Sequence, residues 1–366
     1  MPIFMDRHDV SEEVTAEIVA ELHQEDLKIQ DKYNCKGLTY WFDAKRNTAF
    51  CLIEAPNKES IQKMHNQAHG EVPHKIIEVD GSVVESFLGR IEDPEKSQKT
   101  TLNIINDPAF RTIMVVRIKR VNLKGISTKS GNLEMESQLQ SIFDSSVKFK
   151  GRIVKQKTDY VLISFDSVTN AVSCAIEIQG NFKMEINTDR SDMLLRLGLS
   201  AGVPVSEHDG LFEDTIQMAE HLCEVVQWPV VTTSEVRDLY ESENFNTAID
   251  REVINTLTPD DQRFLKLLFE FTEREWQNSL LGVHDFSRSL GYSKSKFYRK
   301  ITSVTGKSPN SFLKEYRLDR ALELMDKRNE NVSEVAYETG FSSPAYFSKC
   351  FQESFGILPS HYIRSQ

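Results

Sequence analysis

Two sets of residues in this chain have the types and spacing to do chemistry. The first is imidazole: His8, His23, His65, His69 and His74, five of the nine histidines, fall within the first 74 residues. His65 and His69 are four apart, which puts both rings on one helix face within reach of one ion. With His8, and Asp6 close to it, they make a candidate metal set. Imidazole nitrogen suits nickel, copper and zinc alike, so the expected cofactor is a first-row transition metal. A ligand-free dimerisation module is the alternative reading. The second set is cationic. Lys294, Lys296, Arg299, Lys300 and Lys307 lie between Ser293 and Lys307 with no acid among them. Such a stripe suits contact with phosphate.

Net charge is -11, yet residues 258–366 hold 16 Lys and Arg against 14 Asp and Glu, so the acidity lies upstream. A local basic stripe on an acidic chain favours one docking face and limits non-specific sticking. The 366 residues suggest two or three domains. No apolar run reaches the roughly 18 residues of a membrane span, and no secretory signal is visible. The five cysteines are scattered, with no CxxC pair, which points to a reducing cytoplasm and no membrane partner.

The elements that must position these residues form three regions. Residues 1–92 read strand, helix, strand, strand, helix, strand, the order of a ferredoxin-like sandwich. The polar stretch 93–110, with two prolines, reads as a linker. Residues 111–245 repeat the logic as a second, larger ferredoxin-like α/β sandwich, with a hairpin over 152–165. Residues 258–366 are all helical, broken at Gly291, Gly306, Pro309, Gly340, Gly356 and Pro359. The expected fold class is multidomain, α+β followed by all-α.

Within the last region two segments share one plan: a helix, a Gly-aromatic turn (Gly291-Tyr292, Gly340-Phe341), a Ser opening the next helix, then a closing Gly. These are two helix-turn-helix units. Phe297 and Ile301, and Phe347 and Phe351, recur at i, i+4 and face inward. The opposite faces present Lys294, Ser295, Tyr298, Arg299 and Lys300, and Ser343, Pro344, Ala345, Ser348 and Lys349, the division a major-groove reader needs. Arg299 suits a guanine edge, Tyr298 and Lys349 come next, and Lys294 and Lys300 suit phosphates. With LxxxRLxxALELM and the final LPSHYI, this region of about 100 residues resembles the AraC/XylS family of transcription regulators. The resemblance implies double-stranded DNA as partner and the exposed positions above as its contacts.

GRIVKQKTDYVLISFDSVTNAVSCAIEIQ and LLRLGLSAGVPVSEHDGLFEDTIQMAEHLCEV resemble the class III adenylate/guanylate cyclase domain. That chemistry takes two metal-binding carboxylates and a later Asn and Arg. Here Arg117 stands for the first metal Asp, Asp159 survives between Thr158 and Tyr160, and Gln217 and His221 replace Asn and Arg. A cation in place of a metal carboxylate repels the metal, so the domain is expected to be a non-catalytic pseudo-cyclase. The first 80 residues, from MPIFMDRHDV to SIQKMHNQAHG, resemble a small family of ferredoxin-like domains reported as nickel-binding. Together these readings give a cytoplasmic, homodimeric, sequence-specific transcription regulator and not an enzyme. Its first two modules would sense a metal ion or small-molecule effector, or dimerise. A nucleotide cyclase tethered to DNA and a metal-handling protein are the alternatives.

Overall fold

Strand β1 (Ile3–Asp9) turns successive side chains to opposite sides of a sheet, and both sides are covered: Met5 enters one apolar core and Phe4 another. This computed structural model describes residues 1–94, 102–120, 123, 129–185, 193–225, 227–245, 249, 252–327 and 331–365. After β1 come α1 (Ala16–Ile29), β2 (Lys36–Asp43), β3 (Thr48–Glu54), α2 (Lys58–Ala68) and β4 (Lys75–Val79). The strands pair antiparallel in the order β2-β3-β1-β4. Helices α1 and α2 pack on the face that carries Phe4. A further helix, α3 (Gly81–Leu88), was not expected. Asp80 caps it by accepting the Ser82 and Val83 amides, and it sends Val84, Phe87 and Leu88 to the Met5 side.

The stretch expected as a linker has no regular structure over 102–110, yet it is anchored. Tyr40 Oη accepts the Ile105 amide and donates to the Asn103 carbonyl, both at 2.9 Å. Arg90 pairs with Asp107 at 3.3 Å, and Ile105 and Ala109 are buried. Residues 95–101 lie outside the described set.

The second sheet is built from β5 (Arg111–Arg120), α4 (Lys129–Lys148), β6 (Arg152–Lys157), β7 (Tyr160–Phe165), α5 (Val168–Glu185), β8 (Met193–Gly202), α6 (Glu213–Leu222), β9 (Val230–Thr233), α7 (Ser234–Glu243) and β10 (Ile254–Leu257). Its order is β10-β9-β8-β5-β7-β6. β5 is central and buried on both faces, as its apolar run requires. Ile113 and Val115 share the core of Met5 and Trp41, while Met114, Val116 and Ile118 share that of Val172 and Ile178. Strand β10 lies in the gap between the two expected regions and adds to β9 in parallel.

The helical region comprises α8 (Pro259–Glu275), α9 (Val283–Ser289), α10 (Lys294–Thr305), α11 (Pro309–Lys327), α12 (Val332–Glu338), α13 (Pro344–Phe355) and α14 (Pro359–Ser365). It grows out of the middle core: Phe264, Leu265, Leu268 and Phe269 of α8 bury with Leu222, Val225, Val231 and Leu257 on one side and Phe297 and Ile301 on the other. Each such side chain contributes about 1.5–3 kcal/mol on burial.

Candidate nucleic-acid interface and candidate metal centre

The two helix-turn-helix units are α9–α10 and α12–α13. Ser293 caps α10 by accepting the Lys296 amide at 3.3 Å, and Ser343 caps α13 by accepting the Tyr346 amide at 3.4 Å. Both second helices stop at a glycine in the left-handed region, Gly306 (φ 72°) and Gly356 (φ 76°). Phe297, Ile301, Phe347 and Phe351 are each 0% exposed, so the opposite faces are turned outward. On α10 these faces carry Lys294, Ser295, Tyr298 and Arg299, all exposed, together with Lys296. On α13 Ala345, Tyr346 and Lys349 are exposed, while Ser343, Pro344 and Ser348 are half-buried. Tyr346 was missed as a contact candidate, although it occupies the fourth position of the Ser-x-x-x-Phe pattern, as Lys296 of the basic stripe does in the first unit.

Two cations of the basic stripe are committed elsewhere. Lys300 pairs with Asp260 and Asp261 of α8, both at 2.7 Å, acids that a phosphate at this position would compete with. Lys307 is buried and pairs with Glu315 at 2.9 Å and Glu224 at 3.6 Å. Their partners lie tens of residues away along the chain or on another element, so the run of cations overstates the charge offered to solvent.

The expected metal residues do come together. His65 Nδ1, His69 Nε2 and Asp26 Oδ1 form a near-equilateral triangle with sides of 3.1, 3.2 and 3.3 Å. An ion with bonds of about 2.1 Å holds neighbouring donors ~3.0 Å apart when octahedral and ~3.4 Å when tetrahedral. The triangle therefore fits one face of either polyhedron. Asp26 Oδ1 is buried and makes no aligned hydrogen bond. On the far side of the ring, His65 Nε2 meets Asp6 Oδ2 at 2.9 Å, the carboxylate–imidazole pairing that orients a metal-binding histidine. His8 lies beyond, its ring 5.0 Å from that of His65 but its Nε2 directed to Asp6 Oδ1 at 3.4 Å. So His8 belongs beside Asp6 and not in the triangle, and Asp26 takes the third corner. Burial opposes charge on His65, but the Asp26 and Asp6 carboxylates beside its two ring nitrogens outweigh it and push its pKa up to about 10. Burial likewise opposes the Asp6 carboxylate, and His8 and His65 hold it well below the usual range. Asp26 could have been found in the sequence: Val19, His23 and Asp26 sit at helical spacing, which places an acid on the buried stripe of α1.

The four positions expected to mark a lost cyclase site lie on β5, in the β6–β7 turn and on α6. Asp159 is exposed in the β6–β7 turn. Gln217 donates to Glu213 Oε1 at 2.7 Å. His221 stacks on Phe269 of α8, with centroids 4.2 Å apart. The Arg117 guanidinium lies 5.5 Å from the Tyr160 ring; burial disfavours its charge, but Glu224 and Glu220 outweigh that.

Comparison with known proteins gives two family matches. Residues 286–365 match the model described as a helix-turn-helix domain, and residues 4–79 match that described as nickel responsive protein SCO4226-like. The C-terminal stretch is thus a helix-turn-helix domain of AraC type, and the N-terminal one a SCO4226-like unit. Histidine kinase P4 of Formosa agariphila is 40% identical over 107 residues, which is 29% of this chain and 8% of that protein. The HTH-type transcriptional regulator ExsA of Pseudomonas aeruginosa is 31% identical over 108 residues, 30% of this chain and 38% of the relative. The chain therefore spans well under half of either relative. Among solved structures, SCO4226 of Streptomyces coelicolor is 32% identical over 21% of this chain and 94% of its own, with a TM-score of 0.20. Among the described residues no helix is long and apolar enough to cross a membrane.

Proposed function

We propose that this chain is a sequence-specific, DNA-binding transcription regulator of the AraC type that responds to a metal ion. The observation that carries the DNA reading is the pair of matched helix-turn-helix units, each with a capped second helix whose outer face is free. Lys294, Ser295, Tyr298 and Arg299 on the first unit, and Ser343, Pro344, Ala345, Ser348 and Lys349 on the second, are the proposed contacts with double-stranded DNA. A homodimer would pair two such readers and raise avidity without new contacts. Footprinting the full chain across genomic DNA should give discrete protected sites. Uniform, sequence-independent protection would overturn the reading.

The domains we assign are 1–92, ferredoxin-like on the support of its strand order; 93–110, a connecting segment; 111–245, a cyclase-like module without catalysis; and 258–366, the DNA reader. Its setting is the cytoplasm, where DNA lies. Nickel or another first-row ion would sit on Asp26, His65 and His69, with Asp6 orienting His65; the donor triangle supports this. Calorimetry with nickel should give heat that Asp26→Asn and His69→Gln both lower. Unchanged heat in both variants would overturn the assignment. For the middle module, incubation with ATP or GTP and manganese should yield no cyclic nucleotide. Product that disappears on Asp159→Ala would show the enzyme reading to be right instead.

A further inference from the structure

Beside the proposed triangle lies a second group of donors. Asp6 and Cys51 face each other across β1 and β3 in register, and His8, two residues on, projects from the same face as Asp6. All three are buried, and one donor atom from each lies within 4.8 Å of the others. Two features mark this as more than a packed corner. His8 is 8% exposed, and its Nε2 has only Asp6 Oδ1 near it, at 3.4 Å and without the alignment of a hydrogen bond. A buried ring nitrogen held so loosely gains from a ligand placed between it and the carboxylate. Asp6 is also already held in place: its Oδ1 accepts the Cys51 amide at 3.0 Å and its Oδ2 meets His65 Nε2. The carboxylate is thus fixed with lone pairs directed toward His8.

We propose that Asp6 Oδ1, His8 Nε2 and Cys51 Sγ form a second metal position, distinct in its ligand chemistry from the one on Asp26, His65 and His69. A thiolate with an imidazole and a carboxylate selects a borderline-soft ion such as zinc or cobalt(II) over calcium or magnesium. Binding breaks the S–H bond: the Sγ electron pair goes to the metal and the proton goes to solvent, with no change of oxidation state. Asp6 belongs to both positions, through Oδ1 as ligand here and through Oδ2 as the orienting partner of His65 there. The two positions are therefore neighbours across one carboxylate. The assignment does not depend on the triangle being a metal site.

Titration of the full, reduced chain with cobalt(II) tests it. Two equivalents should bind, with a near-ultraviolet sulfur-to-cobalt charge-transfer band. Cys51→Ser should abolish the band and lose one equivalent; His8→Gln should weaken the band, and the buried Cys35→Ser should leave it intact. Asp26→Asn should lose the other equivalent and keep the band. A single equivalent carrying the band would uphold the thiolate position and sink the triangle. Saturation without any band, or a band that survives Cys51→Ser, would overturn the proposal, and neither outcome requires a variant to be more stable than the parent chain.

Discussion

The two helix-turn-helix units share a plan and differ in what they offer and in what holds them. The first offers cations: Lys294, Lys296 and Arg299 are exposed along α10. The second offers an apolar and aromatic edge, Pro344, Ala345 and Tyr346, with Lys349 lying 3.9 Å from Glu353. The first is fused to the middle domain through the apolar core of α8. The second has its own core, reached from the middle domain by Leu123, whose amide donates to the Phe355 carbonyl at 2.8 Å, and by the Lys119–Asp319 pair at 2.7 Å. One unit is thus built for charge and rigidly based, while the other is built for shape and tied at a few points.

The largest test of this contrast lies at the turn glycines. Both have positive φ, 73° at Gly291 and 77° at Gly340. An added methyl meets nothing within 4 Å at Gly291, but at Gly340 it meets the Trp276 carbonyl oxygen at 2.6 Å. That carbonyl also accepts from Arg317 Nε at 2.8 Å, so Gly340 sits in the joint where α11 clasps the end of α8. Gly291→Ala should cost about 1–2 kcal/mol from backbone strain alone. Gly340→Ala adds overpacking against backbone and should reach on the order of 3 kcal/mol or more. Urea midpoints of the two variants measure the difference, and equal shifts would show that the second turn is as open as the first.

Acid should loosen the base of the first unit. Burial, together with Arg117 and Lys266 and against the opposing pull of Glu224, lowers His221 from 6.5 to about 4. Above pH 6.5 the ring is neutral folded and unfolded, and contributes no pH dependence. Between 6.5 and 4 the unfolded chain takes up a proton that the folded one refuses, so stability falls as pH falls. The full loss is roughly 3 kcal/mol at about 1.4 kcal/mol per pH unit. His221→Phe keeps a ring on Phe269 and should flatten that part of the profile, as read from urea midpoints at pH 7 and 4.5. A profile identical to the parent's would mean that the ring is not shielded as the packing implies.

Much of this arrangement was legible in the residues, and what was not has physical reasons. The helix-turn-helix units stood out because caps, turn glycines and the i, i+4 apolar pairs all agree at fixed spacing. Helix α3 and strand β10 escaped because each is short: two turns of GSVVESFL and four residues of INTL carry too little period. Lys300 and Lys307 looked free because their acids come from α8, from Glu224 after α6 and from α11. At the candidate metal centre His65 and His69 were visible through their spacing. Asp26 and Cys51 were not read because one is an acid inside an amphipathic helix and the other lies in a strand buried on both faces, where alternation carries no signal.

The smallest effects should separate the two readers by base chemistry. A guanidinium fork on guanine is worth about 1–3 kcal/mol, so Arg299→Ala should weaken binding to a cognate site by that much and relax preference at one position. Lys349 already has Glu353 nearby at 3.9 Å, and an exposed partner of that kind leaves only a fraction of a kcal/mol to lose. Lys349→Ala should therefore lower affinity little and reduce its salt dependence by less than Lys294→Ala does. Apolar side chains meet thymine through its methyl group. Replacing thymine by uracil in the half-site under α13 should then weaken binding more than the same change under α10. Fluorescence anisotropy across a salt series, with both substituted duplexes, reads all of these together. If uracil is felt equally at both half-sites, the second unit reads DNA by the same means as the first, and the contrast between charge and shape fails.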